Sequence, residues 1–108
     1  MDEVIKKALR VKDLYTKLNI KENRNVWGYR EHTEALVSDS ADLMKLIMIK
    51  DNLRSAKTDD NDSAIAHELA DCLWSIIAIS KELNIDLETI FNESMDKLEK
   101  RVSDSLNN

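Results

Sequence analysis

Apolar residues recur along this chain at spacings of three and four, and polar interruptions divide them into four segments. Val4, Ile5, Ala8, Leu9, Val11, Leu14 and Leu18 mark a first helix from about Asp2 to Leu18. Asn19 to Gly28 breaks the pattern with three Asn and the only Gly of the chain. A second helix follows from about Thr33 to Leu53, with Thr33 as its expected N-cap. Residues 54–63 are polar and read as a loop. The third helix is expected from about Ser63 to Leu83, and Asn84-Ile85-Asp86 is a short break. Asp86 can cap a fourth helix that continues to about Val102. The expectation is a single all-α domain over 1–102, with a frayed tail over 103–108. Short connections make neighbouring helices antiparallel, so the second should pack beside the third.

The third segment differs from the others. Between Leu69 and Ile79 the only polar side chains are Asp71 and Ser75. A helix that is apolar nearly all round is buried on most sides. Asp71 in such a setting needs a partner, either a bound cation or a Lys or Arg. Glu68 sits three residues earlier on the same face, and two adjacent acids raise the cost of burying either.

Composition narrows the options. There is no Pro and one Gly in 108 residues, which favours long helices over strands and tight turns. A net charge of −5 gives no general attraction to polymeric nucleic acid or to an anionic membrane. No apolar stretch nears the ~20 residues expected of a membrane span, and the first residues lack an apolar signal core. A single Cys72 excludes an internal disulfide and reads as a core thiol, which suits the reduced cytoplasm.

The second helix carries a second acid pair. Asp39 and Asp42 lie three apart, on a stripe shared with Ala35, Leu46 and Ile49. With the second and third helices antiparallel, Asp39 and Asp42 come within reach of Glu68 and Asp71. Four facing carboxylates suit Mg²⁺ or Mn²⁺, hard cations that prefer oxygen. Such a site is suited to a polyphosphate, because the metal bridges phosphate oxygens and activates a water. The plainer readings are a solvated acidic face for Asp39 and Asp42 and a structural salt bridge for Asp71. A di-iron bundle would need Glu-x-x-His motifs, which neither His32 nor His67 supplies. The run Asp59-Asp60-Asn61-Asp62 lacks the glycine and final glutamate of a calcium loop.

These residues resemble the MazG-like nucleotide pyrophosphohydrolases of the all-α NTP pyrophosphatase superfamily. Their Glu-x-x-Asp box stands here as Glu68-Leu69-Ala70-Asp71, and Leu83-Asn84-Ile85-Asp86-Leu87-Glu88 is similar to the family's turn into the last helix. The similarity extends over roughly 24–102. The preceding Glu-Glu-x-x-Glu box reads Ser38-Asp39-Ser40-Ala41-Asp42, with Asp for the last two Glu and Ser38 for the first. The resemblance implies an all-α, four-helix MazG-like bundle completed by subunit association into a homodimer or homotetramer. It implies cleavage of a nucleoside triphosphate between the α and β phosphorus, to monophosphate and pyrophosphate. Asp39, Asp42, Glu68 and Asp71 are the implied metal-holding and catalytic residues, with Mg²⁺ as cofactor and Mn²⁺ as a substitute.

Lys97 aligns with a last-helix Lys that contacts phosphate, and Arg101 lies one turn beyond it. Met95 stands where many members have Asn. Trp27 falls where similar proteins place aromatics near the base, and His32 is a further candidate contact. Trp74 is assigned to the core or a subunit interface. The other class left open is a non-catalytic helical interaction module with a degenerate metal site, for which Ser38 and Met95 are the best support.

Overall fold

The computed structural model describes residues 2–55 and 61–108. Its helices are α1 (Asp2–Lys21), α2 (Tyr29–Lys50), α3 (Asn61–Glu82) and α4 (Leu87–Leu106), and no strand occurs among the described residues. The all-α, four-helix reading holds. Asp59 and Asp60 of the suspected calcium-like run lie outside the described residues, while Asn61 and Asp62 open α3.

Several boundaries differ from the periodicity. Thr33 does not cap α2; it lies inside the helix, where its hydroxyl donates to the Tyr29 carbonyl at 2.7 Å. The N-cap is Gly28, whose N–H donates to the Glu31 carboxylate at 2.8 Å. The apolar pattern misses this first turn because Tyr29 to Glu31 carry no core residue. At the other end α4 runs one turn past Val102, to Leu106. Asp86 does cap α4, with one carboxylate oxygen accepting from the Thr89 N–H at 3.2 Å and the other from its hydroxyl at 2.9 Å. Those bonds to the charged form hold Asp86 below its ordinary value.

The first three helices end alike. Asn23, Asn52 and Asn84 have φ of 56°, 62° and 56°. After each, an N–H reaches back into the last turn: Arg24 to Asn19 at 2.8 Å, Leu53 to Met48 at 2.7 Å and Ile85 to Ser80 at 2.8 Å. This is the Schellman closure, which needs a residue tolerant of left-handed backbone. Asn fills that place in a chain nearly without Gly.

α2 and α3 form the principal packed pair. Ser40 in mid-α2 meets Cys72 in mid-α3, whereas Leu46 and Lys50 near the end of α2 meet Asn61 and Asp62 at the start of α3, so the two run antiparallel. α1 lies along α3 in the same direction, tied by Trp74 Nε1–H donating to the Ala8 carbonyl at 3.1 Å. Lys12 and Glu82 add an ion pair of 2.6 Å further along. The buried residues of α3 are Ser75, Ile77, Ala78 and Ser80, small or compact side chains that let its neighbours approach closely.

α3 is not buried on most sides, as its sequence suggests. Leu69, Leu73 and Ile76 are exposed, and so is Asp71. α1 and α2 cover two sides, and α4 leaves the α3 end without folding back over the third. From Thr89 onward α4 is exposed, with Phe91, Met95, Leu98 and Val102 forming an uncovered stripe at helical spacing. By length and composition α3 could cross a bilayer, contrary to the expectation that no stretch could. An apolar circumference of this kind is also what a helix packed by several neighbours requires.

The left-handed closure at Asn84 fixes the angle at which α4 leaves α3. Asn84→Ala should lose about 1 kcal/mol, because Ala is disfavoured in this conformation. Asn84→Gly should lose no more than a few tenths, and urea unfolding of the two variants distinguishes them.

Candidate functional site

The α2–α3 register builds the acidic half of the site. Asp39 and Asp42 are one helical turn apart on α2, and antiparallel packing sets them opposite Glu68 on α3. One carboxylate oxygen from each of the three can be chosen so that all lie within 4.8 Å of one another. Asp71 is outside this close group, but its charge still acts on both Asp39 and Glu68. Among the described residues the ion pairs do not include Asp71, so the salt-bridge alternative is not what the fold adopts. Asp42 has only a marginal contact with Lys45, at 3.9 Å.

Repulsion leaves its mark on these acids. Glu68 is raised above its ordinary 4.5, first by desolvation and then by the charges of Asp39, Asp42 and Asp71. Asp39 is raised above 3.8, by desolvation and then by Asp71 and Asp42. Glu68 also has a buried carboxylate oxygen, Oε2, with no hydrogen-bond partner among the described residues. An orphaned anionic oxygen among other carboxylates is a position that a cation would satisfy. The donor set is all oxygen and suits a hard divalent ion.

A cleft of about 640 Å³ opens beside the acids, with Asp39 and Asp71 in its wall. Its other end is aromatic. His32 is 3% exposed and lies between Trp27 and Trp74, with ring centroids 5.4 and 5.3 Å away, both near edge-on. Tyr15 of α1 tilts against Trp74 at 5.7 Å. Desolvation, and next the Lys12 ammonium, hold His32 below its ordinary 6.5, so the ring is neutral at pH 7. Its Nδ1 is buried and unpartnered among the described residues.

The structure therefore brings Trp27, His32, Asp39 and Asp71 to one cleft, with Asp42 and Glu68 grouped around Asp39. It does not bring Lys97 or Arg101 there; both are exposed on α4 and line no part of the cleft. Trp74, assigned by sequence to the core or an interface, is a cleft wall. Sequence reasoning also missed Lys12, Thr16 and Asn19 of α1 and Arg24 and Asn25 of the connection. Their one signal was spacing: Lys12, Thr16 and Asn19 fall on one face of α1.

The raised acids carry a sign that solution measurement can check. A carboxyl whose folded value lies above its unfolded one contributes stability below the unfolded value and loses it as pH rises through the folded value. Glu68 and Asp39 should therefore withdraw stability from the metal-free protein as pH climbs above about 4.5, the ordinary Glu value, against the opposite contribution of the lowered His32. Glu68→Gln should flatten that slope and stabilise the chelated protein at pH 7 by about 0.5 kcal/mol, the size of a like-charge contact on a helix surface. Urea unfolding in chelator from pH 4 to 7 measures both.

A search of curated proteins and one of solved structures give no match. Residues 31–105 match the family model of the MazG nucleotide pyrophosphohydrolase domain. The match begins at the first turn of α2 and takes in α3 and nearly all of α4, leaving α1 and its cleft residues outside. With the acid pairs, their register and most of the chain inside that match, the chain belongs to the MazG nucleotide pyrophosphohydrolase family.

Proposed function

We propose that this chain hydrolyses a nucleoside triphosphate between the α and β phosphorus, releasing monophosphate and pyrophosphate, with Mg²⁺ as cofactor. The observation that carries this reading is the close group of Asp39, Asp42 and Glu68 oxygens on the flank of a partly aromatic cleft. With Asp71 nearby, these acids would hold the ion. Bound Mg²⁺ would neutralise phosphate charge and make a water nucleophilic near neutral pH.

The chain's own groups do the rest. The acids repel a bare polyphosphate, so the triphosphate enters only as a metal complex. Trp27 is 42% exposed at the cleft and offers a flat face to a base. His32 adds a neutral polar group beside it. A water proton passes to a carboxylate of the set as the water oxygen bonds to the α phosphorus. The bond to the bridging oxygen breaks, and pyrophosphate leaves.

The uncovered stripes of α3 and α4 support association with a second copy. α4 of that copy would then lie against this subunit, which would let Lys97 and Arg101 approach the phosphates. Association is favoured because apolar area contributes about 25 cal/mol per Å² once removed from water.

An assay of several triphosphates should show divalent-ion-dependent formation of monophosphate and pyrophosphate, abolished by chelator and by Glu68→Gln. Release of orthophosphate alone would overturn the cleavage position. Absence of pyrophosphate release from every triphosphate, with or without divalent ion, would favour the interaction-module reading. Mg²⁺ at a hundredfold excess over its dissociation constant should stabilise the protein by about 2.7 kcal/mol per site, seen as a higher melting temperature that Asp42→Asn weakens. Sedimentation at micromolar concentration should show a dimer or larger.

A further inference from the structure

The connection between α1 and α2 lies outside the matched family region, yet it carries a cation to the cleft. Arg24 lines the cleft wall, and its side chain is 54% exposed. Its backbone is fixed: Asn23 is left-handed, and the Arg24 N–H donates to the Asn19 carbonyl at 2.8 Å. Its guanidinium is held more loosely. Nη2 pairs with Glu22 Oε2 at 2.9 Å, and Glu22 is itself half exposed. An ion pair between exposed side chains is weak in water, so a ligand competes for the guanidinium. Lys12, the other cation of the wall, is committed elsewhere: its side chain is 13% exposed and its ammonium donates to Glu82 at 2.6 Å.

Arg24 stands at the end of the cleft remote from the acids. Trp27, three residues on, meets the His32 ring with centroids 5.4 Å apart. α2 begins two residues after Trp27, and Asp39 lies about 15 Å along it from that first turn. A nucleotide whose phosphates lie at the acids therefore carries its base toward Trp27 and Arg24. Among the described residues the carboxylates of the cleft wall are Asp39 and Asp71, both with the acid group. The base edge thus meets a guanidinium, which has donors and no acceptor, and no carboxylate to take up an amino group.

We propose that Arg24 selects 6-oxopurine nucleotides, guanosine or inosine triphosphate, by donating two hydrogen bonds from its planar fork to O6 and N7 of the base. The triphosphate rests on the hydrolase reading above; the choice of base rests on the cleft wall alone.

Nucleobases differ at that edge. Guanine and hypoxanthine place two acceptors, O6 and N7, side by side, at the spacing an arginine fork matches. Adenine keeps N7 but turns a 6-amino donor toward the guanidinium, donor against donor. Cytosine does the same with its 4-amino group. Uracil and thymine offer O4 alone, beside a carbon. Asn19 and Asn25 also line the wall, but an amide both donates and accepts and so does not discriminate.

The test compares inosine triphosphate with ATP in wild type, Arg24→Gln, Arg24→Lys and Glu22→Gln. In wild type, kcat/KM for inosine triphosphate should exceed that for ATP about tenfold, within the range of one bidentate base contact. Arg24→Gln should bring the ratio close to one. Arg24→Lys, which keeps the charge but not the fork, should lie between. Replacing N7 by carbon, in 7-deazaguanosine triphosphate, should cost wild type several-fold relative to GTP and cost Arg24→Gln nothing. Glu22→Gln frees the guanidinium, so its ratio should equal or exceed that of wild type. If Arg24 merely braces the connection through Glu22, Glu22→Gln and Arg24→Gln should instead behave alike.

The base contact is also read without phosphate or turnover. Inosine and adenosine, titrated by NMR against the indole N–H signals of the chain's two Trp, should differ in dissociation constant in the same direction. Arg24→Gln should remove that difference. Equal affinities for the two nucleosides in wild type, or equal kcat/KM for the two triphosphates where both are cleaved, would overturn the proposal. So would a preference that survives Arg24→Gln. If no triphosphate is cleaved, the hydrolase reading fails, and the nucleoside titration still decides whether Arg24 reads the base.

Discussion

Repulsion among carboxylates is the constraint around which this protein is arranged. The α2–α3 pairing sets Asp39 and Asp42 against Glu68, and Asp71 stands close enough to add its field. Packing of α2 on α3 supplies the free energy that holds like charges together. A slip of one residue in that register would turn the helix faces by about 100° and disperse the group. The same contacts that stabilise the fold therefore create an electrostatic deficit, and a cation is the simple way to remove it.

The aromatic half of the cleft depends on a different contact, α1 against α3. Trp74 is held by its bond to the Ala8 carbonyl and in turn forms one side of the His32 pocket. The two halves meet at Asp39, which belongs to the close acid group and also to the cleft wall. A ligand spanning them would touch acids at one end and rings at the other. Anionic phosphate and a flat base are suited to those two environments when a cation mediates at the acids.

Much of this was legible in the sequence because it is local. Helical spacing identified four helices and put each acid pair on one face, and Asp86 announced its own cap. Thr33 misled because the first turn of α2 carries no apolar residue to mark it, and because a Gly–Glu closure has no side chain at the cap itself. The apolar circumference of α3 makes Asp71 read as buried, yet it is exposed. The orphaned, desolvated oxygen instead belongs to Glu68, since the third side of α3 is open. Lys12 and Trp74 could not be assigned to the cleft from periodicity. Their roles arise from a parallel contact between helices distant in sequence, and no local pattern encodes that register. The family resemblance reached the acids but not α1, which lies before the region it covers.

The turn from α3 into α4 contains neither Gly nor Pro. Its backbone is closed by the Ile85 bond to Ser80 and its far side by Asp86 on Thr89. The uncovered stripe of α4 is thus presented by an elbow with few alternative conformations. Ordering a floppy arm would oppose complex formation, whereas an arm already set at its angle is preorganised and gives up little freedom on docking. Such an elbow also acts as a gauge: a surface that does not meet the stripe at that angle leaves most of it in water.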